Sequence, residues 1–157
     1  MLKAIAIDDE PIALEVVKSL SSKIAFIELL DCFTNAFKAI DFLQKEKVDL
    51  IFLDIKMPDI SGIDFLNSLN KKPMVIFTTA YTEHAVASFE LDAIDYLLKP
   101  FSKERFDSAV EKWMTKTVNS IADNNNIARL ENTPKQPDEK NDIGRKDRPT
   151  EFTYYWY

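Results

Sequence analysis

The sequence predicts an α/β fold in which a doubly wound, five-stranded parallel sheet carries helices on both faces. Five short runs rich in Ile, Val, Leu and Phe recur through the first hundred residues. Three of these runs are continuously apolar rather than alternating, which is typical of strands that are covered on both faces. Segments with helical apolar spacing follow the runs, so the order is strand then helix, five times over. That order favours a parallel sheet with right-handed crossovers.

Each strand is predicted at one apolar run, and each helix at the segment that follows it. The strands are expected at Lys3–Ile7, Phe26–Leu30, Leu50–Leu53, Met74–Phe77 and Asp95–Leu98. The helices are expected at Pro11–Leu20, Asn35–Gln44, Ser61–Leu69, Glu83–Leu91 and Ser102–Lys116.

The first and last helices have the most informative patterns. Pro11 suits the first turn of the first helix because its fixed backbone angle and missing N–H cost nothing there. The apolar residues on one face of that helix are Ile12, Val16 and Leu20. The apolar residues that repeat at helical spacing in the last helix are Phe106, Val110 and Trp113.

The sequence changes character after the fifth predicted helix. Residues 122–126 (ADNNN) and 133–141 (TPKQPDEKN) are polar, contain Asn or Pro, and have no apolar periodicity. We therefore expect one domain over residues 1–120 and a flexible linker over residues 121–149. The last segment, residues 150–157 (TEFTYYWY), is rich in aromatic residues and could form one strand, which is too little for a domain.

Composition excludes several classes of function. The chain has 157 residues, of which 46% are hydrophobic and 29% are charged, so it is long enough for one packed domain. Only two glycines occur, which excludes a glycine-rich phosphate loop and a dinucleotide fingerprint. The single histidine and single cysteine exclude a Cys/His zinc site and a disulfide framework. The net charge of -6 is opposite in sign to a DNA-binding surface.

The sequence also bears on localisation. No apolar run approaches the length of a membrane span, and the first residues already have strand-like sequence. We therefore expect a soluble, cytoplasmic protein without membrane contact. Its chemistry must depend mainly on Asp, Glu, Lys, Ser and Thr.

Polar side chains end four of the five predicted strands. The segments at these strand ends are, in chain order, Asp8-Asp9-Glu10, Asp54, Thr78-Thr79-Ala80 and Lys99-Pro100. Because the carboxyl ends of parallel strands meet at one edge of a sheet, we expect these side chains to converge. Clustered carboxylates repel one another and need a cation, and their oxygen ligands suit Mg²⁺ better than a soft metal. Such a site neutralises a phosphoryl group while leaving one carboxylate as a nucleophile.

Four segments carry a close resemblance to a known family: IAIDDEPIAL, DLIFLDIKMPDISGIDFL, VIFTTAY and AIDYLLKPF. They resemble the CheY-like receiver domain of bacterial two-component response regulators, in the same order and at the same strand ends. The resemblance covers residues 1–120. It implies a flavodoxin-like sheet with strand order 2-1-3-4-5.

The resemblance implies a role for each polar residue at that edge of the sheet. Asp54 would accept a phosphoryl group from a sensor histidine kinase. The Mg²⁺ cofactor would be held by Asp8, Asp9, Asp54 and the backbone carbonyl of Lys56. The phosphoryl-binding and switch residues would be Thr79, Ala80, Lys99 and Tyr96. The Lys99–Pro100 peptide bond would be cis, a state that proline makes accessible.

Among receivers, residues 81–113 most resemble those that precede a LytTR-type DNA-binding domain. The family therefore implies control of transcription by an output domain that this chain does not contain, so we expect no DNA binding by this chain alone. It also implies a possible homodimer through the fourth helix, fifth strand and fifth helix. Three accounts of residues 142–157 remain open: an artificially shortened chain, a truncated or frameshifted gene, and a stand-alone receiver with an aromatic tail.

Two other classes of protein remain as alternatives. A phosphatase of the aspartyl-phosphate kind would carry an acid/base carboxylate two residues after its nucleophile, where this sequence has Lys56. We therefore do not expect an enzyme that turns over an external substrate. A phosphorylation-independent interaction module with a receiver fold usually lacks part of the acidic set or the lysine, and here the set is complete.

Overall fold

Five parallel strands form one sheet in the order β2-β1-β3-β4-β5 in the computed structural model, which describes residues 1–80 and 93–131. The strands are β1 (Leu2–Ile7), β2 (Ile27–Phe33), β3 (Leu50–Asp54), β4 (Met74–Thr79) and β5 (Asp95–Leu98). Each pair of neighbouring strands is parallel. The predicted fold class and strand order are confirmed.

The helices of the described residues are α1 (Pro11–Ser22), α2 (Ala36–Lys45), α3 (Gly62–Ser68) and α4 (Lys103–Glu131). Each begins within one residue of a predicted start. Side-chain caps fix three of these starts. Asn35 Oδ1 accepts the Phe37 N–H at 2.8 Å, Ser61 Oγ accepts the Asp64 N–H at 3.0 Å, and Ser102 Oγ accepts the Arg105 N–H at 3.1 Å. The helix predicted at Glu83–Leu91 lies outside the described residues. Within residues 1–80 and 93–131, no helix has both the length and the apolar character needed to cross a membrane.

Alternation of side chains along the strands builds a separate core on each face of the sheet. On one face, α1 and α4 pack over the strands, and Phe106 of α4 stacks on Phe52 of β3 with ring centroids 5.1 Å apart. On the other face, α2 and α3 pack over residues that include Ile51 and Phe65. Every residue of β3 is buried, as the continuous apolar run predicts for a strand covered on both sides.

Of the three apolar residues predicted to share the buried face of the first helix, only Leu20 packs against the core. The apolar residues of α1 that are buried are Leu14 and Val17. Ile12 is 80% exposed and Val16 is 41% exposed. Because α1 carries apolar residues on both of these faces, spacing alone does not determine which face meets the sheet. An apolar strip of α1 therefore faces outwards.

The last helix continues into the segment that the sequence assigns to a flexible linker. α4 runs from Lys103 to Glu131, well past the predicted end at Lys116. Residues 121–131 are therefore helical, where the sequence predicts a flexible linker. No Pro or Gly lies within the helix to stop it, and the Asn run at 124–126 only lowers its helix propensity. Residues 132–157, which include the rest of the predicted linker and the aromatic tail, lie outside the described residues.

The sheet topology brings the ends of four strands into one row. β1 and β3 are neighbours, and β4 and β5 follow β3 in order. These neighbouring strands stay paired up to their carboxyl ends. The polar residues at that edge are Asp8, Asp54, Thr79 and Lys99.

Candidate functional site

Three carboxylates meet at the ends of β1 and β3. One oxygen each from Asp8, Asp9 and Asp54 lies within 4.8 Å of the others. Asp8 is 3% exposed and Asp54 is 4% exposed, so two of the three charges are largely removed from water. Asp8 Oδ1 accepts the backbone N–H of Glu10 at 2.9 Å, which fixes the loop that leads into α1. The sequence-predicted acidic cluster is thus assembled by two adjacent central strands.

Lys99 brings a positive charge to this cluster from the end of β5. Its Nζ donates to Asp8 Oδ2 at 2.5 Å and lies 3.8 Å from Asp54 Oδ2. Its backbone N–H donates to the carbonyl of Thr79 at 2.7 Å, which ties the end of β5 to the end of β4. The Lys99–Pro100 peptide bond is cis, as the family resemblance implies.

The pKa of Asp54 is raised from 3.8 to about 7. The largest cause is burial, and the negative charge of Asp8 raises the pKa further. Lys99 opposes both effects, but it does not cancel them. The three carboxylates outnumber the one ammonium group that contacts them, so a bound cation would reduce the repulsion among them.

A cavity of about 480 Å³ opens next to the carboxylates. It is lined by Asp9, Glu10, Asp54, Lys56, Met57, Pro58, Ala80 and Lys99. Residues from the loops after β1, β3, β4 and β5 thus surround one space. Carboxylates, a carbonyl-bearing loop and an ammonium group face a volume that accommodates a cation and a phosphoryl group.

Thr79 and Tyr96 lie on the two strands beside this cavity. Thr79 is fully buried at the end of β4, one residue beyond Thr78, which pairs with Asp54. Tyr96 pairs with Phe77 in β5, is half-buried, and packs against the core on the α2 and α3 face. The structure therefore brings Asp8, Asp9, Asp54 and Lys99 into direct proximity, and it places Thr79 and Tyr96 on adjoining strands.

Gly62 sets how closely the start of α3 approaches the end of β3, a contact that the sequence interpretation did not identify. Its backbone N–H donates to the carbonyl of Ile55 at 2.7 Å, so the start of α3 folds back on the end of β3. A Cβ at this position would lie 3.0 Å from the carbonyl carbon of Asp54 and closer still to its oxygen. Only glycine fits this approach. The available signal was that Gly62 is one of two glycines in the chain and follows Asp54 by eight residues.

A second network that the sequence interpretation missed anchors β5 to α4. The Asp95 carboxylate accepts two hydrogen bonds from the Arg105 guanidinium, at 2.6 Å and 2.7 Å, and one from Lys112 at 3.0 Å. Arg105 also donates to the carbonyl of Tyr96 at 3.1 Å. Burial alone would raise the pKa of Asp95, but the hydrogen bonds from Arg105, the Tyr96 N–H and Lys112 outweigh it and lower the pKa. This network holds the four-residue edge strand that leads to Lys99.

The lone cysteine does not contribute to this site. Cys32 lies near the end of the edge strand β2 and is half-buried. Burial raises the pKa of its thiol, and the charge of Asp31 adds to the rise. Its thiol is therefore protonated at neutral pH and is a poor nucleophile.

Comparison with known proteins gives consistent results along most of the chain. A family model described as the response regulator receiver domain matches residues 4–111. The sensory transduction protein LytR of Staphylococcus saprophyticus is 42% identical over 114 residues, which cover 71% of this chain and 45% of that protein. LytT of Bacillus anthracis is 36% identical over 127 residues, which cover 77% of this chain and 50% of that protein. The chain thus spans about half the length of these curated relatives.

Solved structures of receiver domains share the fold. The response regulatory domain of MrkE from Klebsiella pneumoniae is 36% identical, with a TM-score of 0.67 over 73% of this chain and 96% of that chain. The response regulator TrrA of Thermotoga maritima, solved in complex with Mg²⁺ and beryllium fluoride, is 28% identical. Its TM-score is 0.63, over 71% of this chain and 98% of that chain.

These findings identify the kind of domain that contains the acidic cluster. Receiver domains are phosphoacceptors rather than classical enzymes, they generally bind Mg²⁺ at an acidic pocket, and they interact with histidine kinases. The matched segment contains all the polar residues at this edge of the sheet, from Asp8 to Lys99. Relatives named LytR and LytT agree with the predicted resemblance to receivers of LytTR-type regulators. The chain belongs to the response regulator receiver domain family of two-component signalling proteins.

Proposed function

We propose that this chain accepts a phosphoryl group on Asp54 from a sensor histidine kinase and passes the change of state to an output domain. The observation that carries the proposal is the position of Asp54. Its buried carboxylate ends the central strand β3 at an open cavity, with Asp8, Asp9 and Lys99 within a few ångströms. A buried carboxylate with compensating positive charge nearby is the arrangement that an anionic phosphoryl group requires.

The proposed Mg²⁺ ligands are Asp8, Asp9, Asp54 and the backbone carbonyl of Lys56. The donor set fits this ion because it consists of hard oxygen atoms, and the three carboxylates lie close enough to share one cation. Burial raises the pKa of Asp54, and the charge of Asp8 raises it further, so a nearby cation would favour the ionised form of Asp54. When bound, Mg²⁺ would supply the positive charge that offsets the phosphoryl oxygens. The Mg²⁺ and beryllium fluoride complex of TrrA supports this assignment.

The chain's own residues account for the transfer step. The ionised carboxylate of Asp54 attacks phosphorus with one oxygen, and the new P–O bond forms as the bond from phosphorus to the donor breaks. Phosphorylation places a charge of about -1.5 to -2 on this side chain. Lys99 already lies 3.8 Å from Asp54, so a small movement away from Asp8 brings its ammonium group to a phosphoryl oxygen.

We infer that Thr79, Ala80 and Tyr96 pass the change to the surface. The ends of β4 and β5 are tied together because the Lys99 N–H donates to the Thr79 carbonyl. A Thr79 hydroxyl drawn towards a phosphoryl oxygen therefore shifts the end of β5 as well. Tyr96 lies on that strand and is half-buried, so its ring has both a buried and an exposed environment within reach. Phosphorylation would bias an existing two-state equilibrium of these groups.

An apolar groove next to the acidic cluster is the surface that we assign to the kinase. Ile12 and Val16 form the outward strip of α1, and Pro100 and Phe101 lie across from them after β5. The groove has a volume of about 490 Å³ and its polar end reaches the acidic cluster. A donor protein must cover this edge of the sheet to bring its phosphohistidine to Asp54. Apolar helix residues of the kinase would then fill the groove.

The proposed output is control of transcription through a LytTR-type DNA-binding domain. The relatives LytR and LytT are about twice as long as the segment that they share with it, which leaves room for such a domain. The proposed homodimer face comprises the helix predicted at Glu83–Leu91, β5 and the start of α4, and its first element lies outside the described residues. Transfer from a kinase that uses ATP would place the protein in the cytoplasm.

Intact mass spectrometry after incubation with acetyl phosphate tests the phosphoacceptor proposal. Wild type and Asp54→Asn are each incubated with and without Mg²⁺. We expect one phosphoryl group to be added to wild type with Mg²⁺, and none to Asp54→Asn or without the metal. Phosphoramidate serves as a second donor, because a site that excludes acetyl phosphate on steric grounds would still accept the smaller molecule.

The same experiment distinguishes the alternatives. No mass gain with either donor would contradict the proposal and favour a phosphorylation-independent interaction module. Equal mass gain in wild type and Asp54→Asn would show that another residue is the acceptor. Sustained phosphate release from small phosphoesters would instead indicate an enzyme.

A further inference from the structure

Five exposed lysines lie at the edge of the sheet where the strands begin. The loops that lead into β2, β3 and β4 are residues 23–26, 46–49 and 69–73, and together with the last residue of α2 we call them the amino edge. Its lysines are Lys23, Lys45, Lys47, Lys71 and Lys72, and its carboxylates are Glu46 and Asp49. The amino edge therefore carries net positive charge, at the opposite end of the strands from the acidic cluster.

The fold does not neutralise these lysines. Within residues 1–80 and 93–131, none of the five forms an ion pair. Lys72 Nζ contacts the amide oxygen of Asn67 at 3.5 Å, which leaves its charge unbalanced. Asp49 Oδ2 accepts the backbone N–H of Lys3 at 3.0 Å, so this carboxylate is held at the start of β1. The positive charge of the amino edge is thus available to a partner.

Helix capping explains only some of the lysines. Lys23 and Lys45 lie at the C-terminal ends of α1 and α2, where a positive charge interacts favourably with the helix dipole. Lys71 and Lys72 lie beyond α3, which ends at Ser68. This pair therefore has no structural role in the helix ends.

The lysines form a row along the amino edge. They precede β2, β3 and β4, and β1 lies between β2 and β3 in the sheet. Three inter-strand spacings of about 4.8 Å make the row about 14 Å long. Duplex DNA carries one phosphate charge for about every 1.7 Å of its axis, so about eight phosphates lie within that length. The row therefore suits an extended polyanion better than a single small anion.

α4 directs the chain to the same side of the domain. The helix begins at Lys103, after the carboxyl end of β5, and runs back until Lys112 Nζ donates to Asp95 at the start of β5, at 3.0 Å. Residues 113–131 then extend for about 28 Å beyond this level, at about 1.5 Å per residue. α4 therefore ends on the side of the domain where the lysines lie.

We propose that the amino edge binds the phosphate backbone of duplex DNA beside the site of the output domain. The choice of DNA as the partner rests on the proposed transcriptional output, which α4 would place on the side of the lysines. The contact is weak and independent of sequence, because lysines on phosphates position a protein without reading bases. The net charge of -6 is that of the whole chain, so it does not reveal this local cluster.

Fluorescence anisotropy of a labelled duplex of mixed sequence tests the proposal on the full chain, without a phosphoryl donor. We expect weak binding at low salt. The logarithm of the affinity should fall with the logarithm of the salt concentration at a slope of about -3 to -4, as the release of about four counterions requires. A second duplex of unrelated sequence should bind equally well.

Charge variants locate the contact. Lys71→Glu with Lys72→Glu reverses two charges of the amino edge. Lys38→Glu with Lys103→Glu is the matched control, because it changes the net charge equally at exposed lysines near the starts of α2 and α4. We expect the amino-edge variant to bind DNA roughly tenfold more weakly than the control, with circular dichroism confirming both folds. Lys71→Gln with Lys72→Gln should reduce the salt slope by about 2.

Three results would overturn the proposal. The first is no binding of the wild type to DNA at low salt. The second is equal weakening by the amino-edge variant and the control, since binding would then depend on overall charge alone. The third is binding to phosphatidylserine vesicles, lost in the amino-edge variant, with no binding to the duplex, which would indicate a membrane surface. Each of these results is independent of whether Asp54 accepts a phosphoryl group.

Discussion

Replacing Asp54 by Asn is expected to stabilise the metal-free protein, increasingly so as the pH rises. The folded protein holds the pKa of Asp54 at about 7, against 3.8 for the ordinary side chain, first because of burial and then because of Asp8. A raised pKa means that the protonated form contributes stability at low pH, and this contribution is lost as the pH rises towards 7. Asp54→Asn removes the charge that causes the loss while conserving size. The perturbation therefore isolates the electrostatic cost of the site.

The size of the effect follows from the two pKa values. At about 1.36 kcal/mol per pH unit, the full cost of ionising Asp54 in the folded protein is on the order of 4 kcal/mol. Linkage gives a cost of about 1.6 kcal/mol at pH 5, where the unfolded chain has already ionised, and about 4 kcal/mol at pH 8. The advantage of Asp54→Asn over wild type is thus expected to grow by roughly 2 to 3 kcal/mol across this interval.

Urea unfolding in EDTA at pH 5, 6, 7 and 8 measures this difference. Asp41→Asn is the control, because Asp41 is an exposed carboxylate on α2, away from the cluster. We expect the control to follow wild type at every pH. An Asp54→Asn variant that is no more stable than wild type at pH 8, or that is stabilised equally at pH 5 and pH 8, would refute the electrostatic account of the site.

Three further predictions concern the supports of the site. Gly62→Ala forces a Cβ against the Asp54 carbonyl, so it should lower the free energy of unfolding by about 1–3 kcal/mol and weaken Mg²⁺ binding roughly tenfold, measured by urea titration and calorimetry. Arg105→Gln removes the paired hydrogen bonds to Asp95 and should cost about 1–2 kcal/mol at pH 7. Because those bonds lower the pKa of Asp95, this cost should shrink when unfolding is measured at a pH below the ordinary pKa of an Asp side chain. A cost that does not change with pH would contradict this explanation. Ile12→Asp should slow phosphotransfer from the cognate kinase at least tenfold and leave acetyl phosphate labelling unchanged, and equal slowing of both would argue against the proposed kinase groove.

The strand ends could be predicted from the sequence because of the topology of a parallel sheet. Continuous apolar runs marked the buried strands, and their carboxyl ends must share one edge. Asp8, Asp54 and Lys99 follow three of the five predicted strands, and in the structure Lys99 lies within ion-pair distance of both carboxylates. Local patterns were enough here because chain direction, rather than side-chain packing, determines where a strand end lies.

Contacts between distant segments could not be predicted in this way. The Arg105 and Asp95 pair joins β5 to α4, and nothing in either local pattern marks it as a partner pair. The outward strip of α1 was ambiguous, because Val16 and Val17 offer apolar faces in two directions and only packing against the sheet selects Val17. The helical extension of α4 was missed because an Asn run lowers helix propensity without ending a helix.

Mapping the acyl phosphate by borohydride reduction tests the central claim most directly. Wild type is labelled with acetyl phosphate and Mg²⁺, then reduced, since borohydride converts an aspartyl phosphate to homoserine. Peptide sequencing by mass spectrometry then locates the converted residue. The account predicts homoserine at position 54 alone, and none when Mg²⁺ is left out. Conversion at position 8 or 9 instead, or a labelled protein with no converted aspartate, would contradict it.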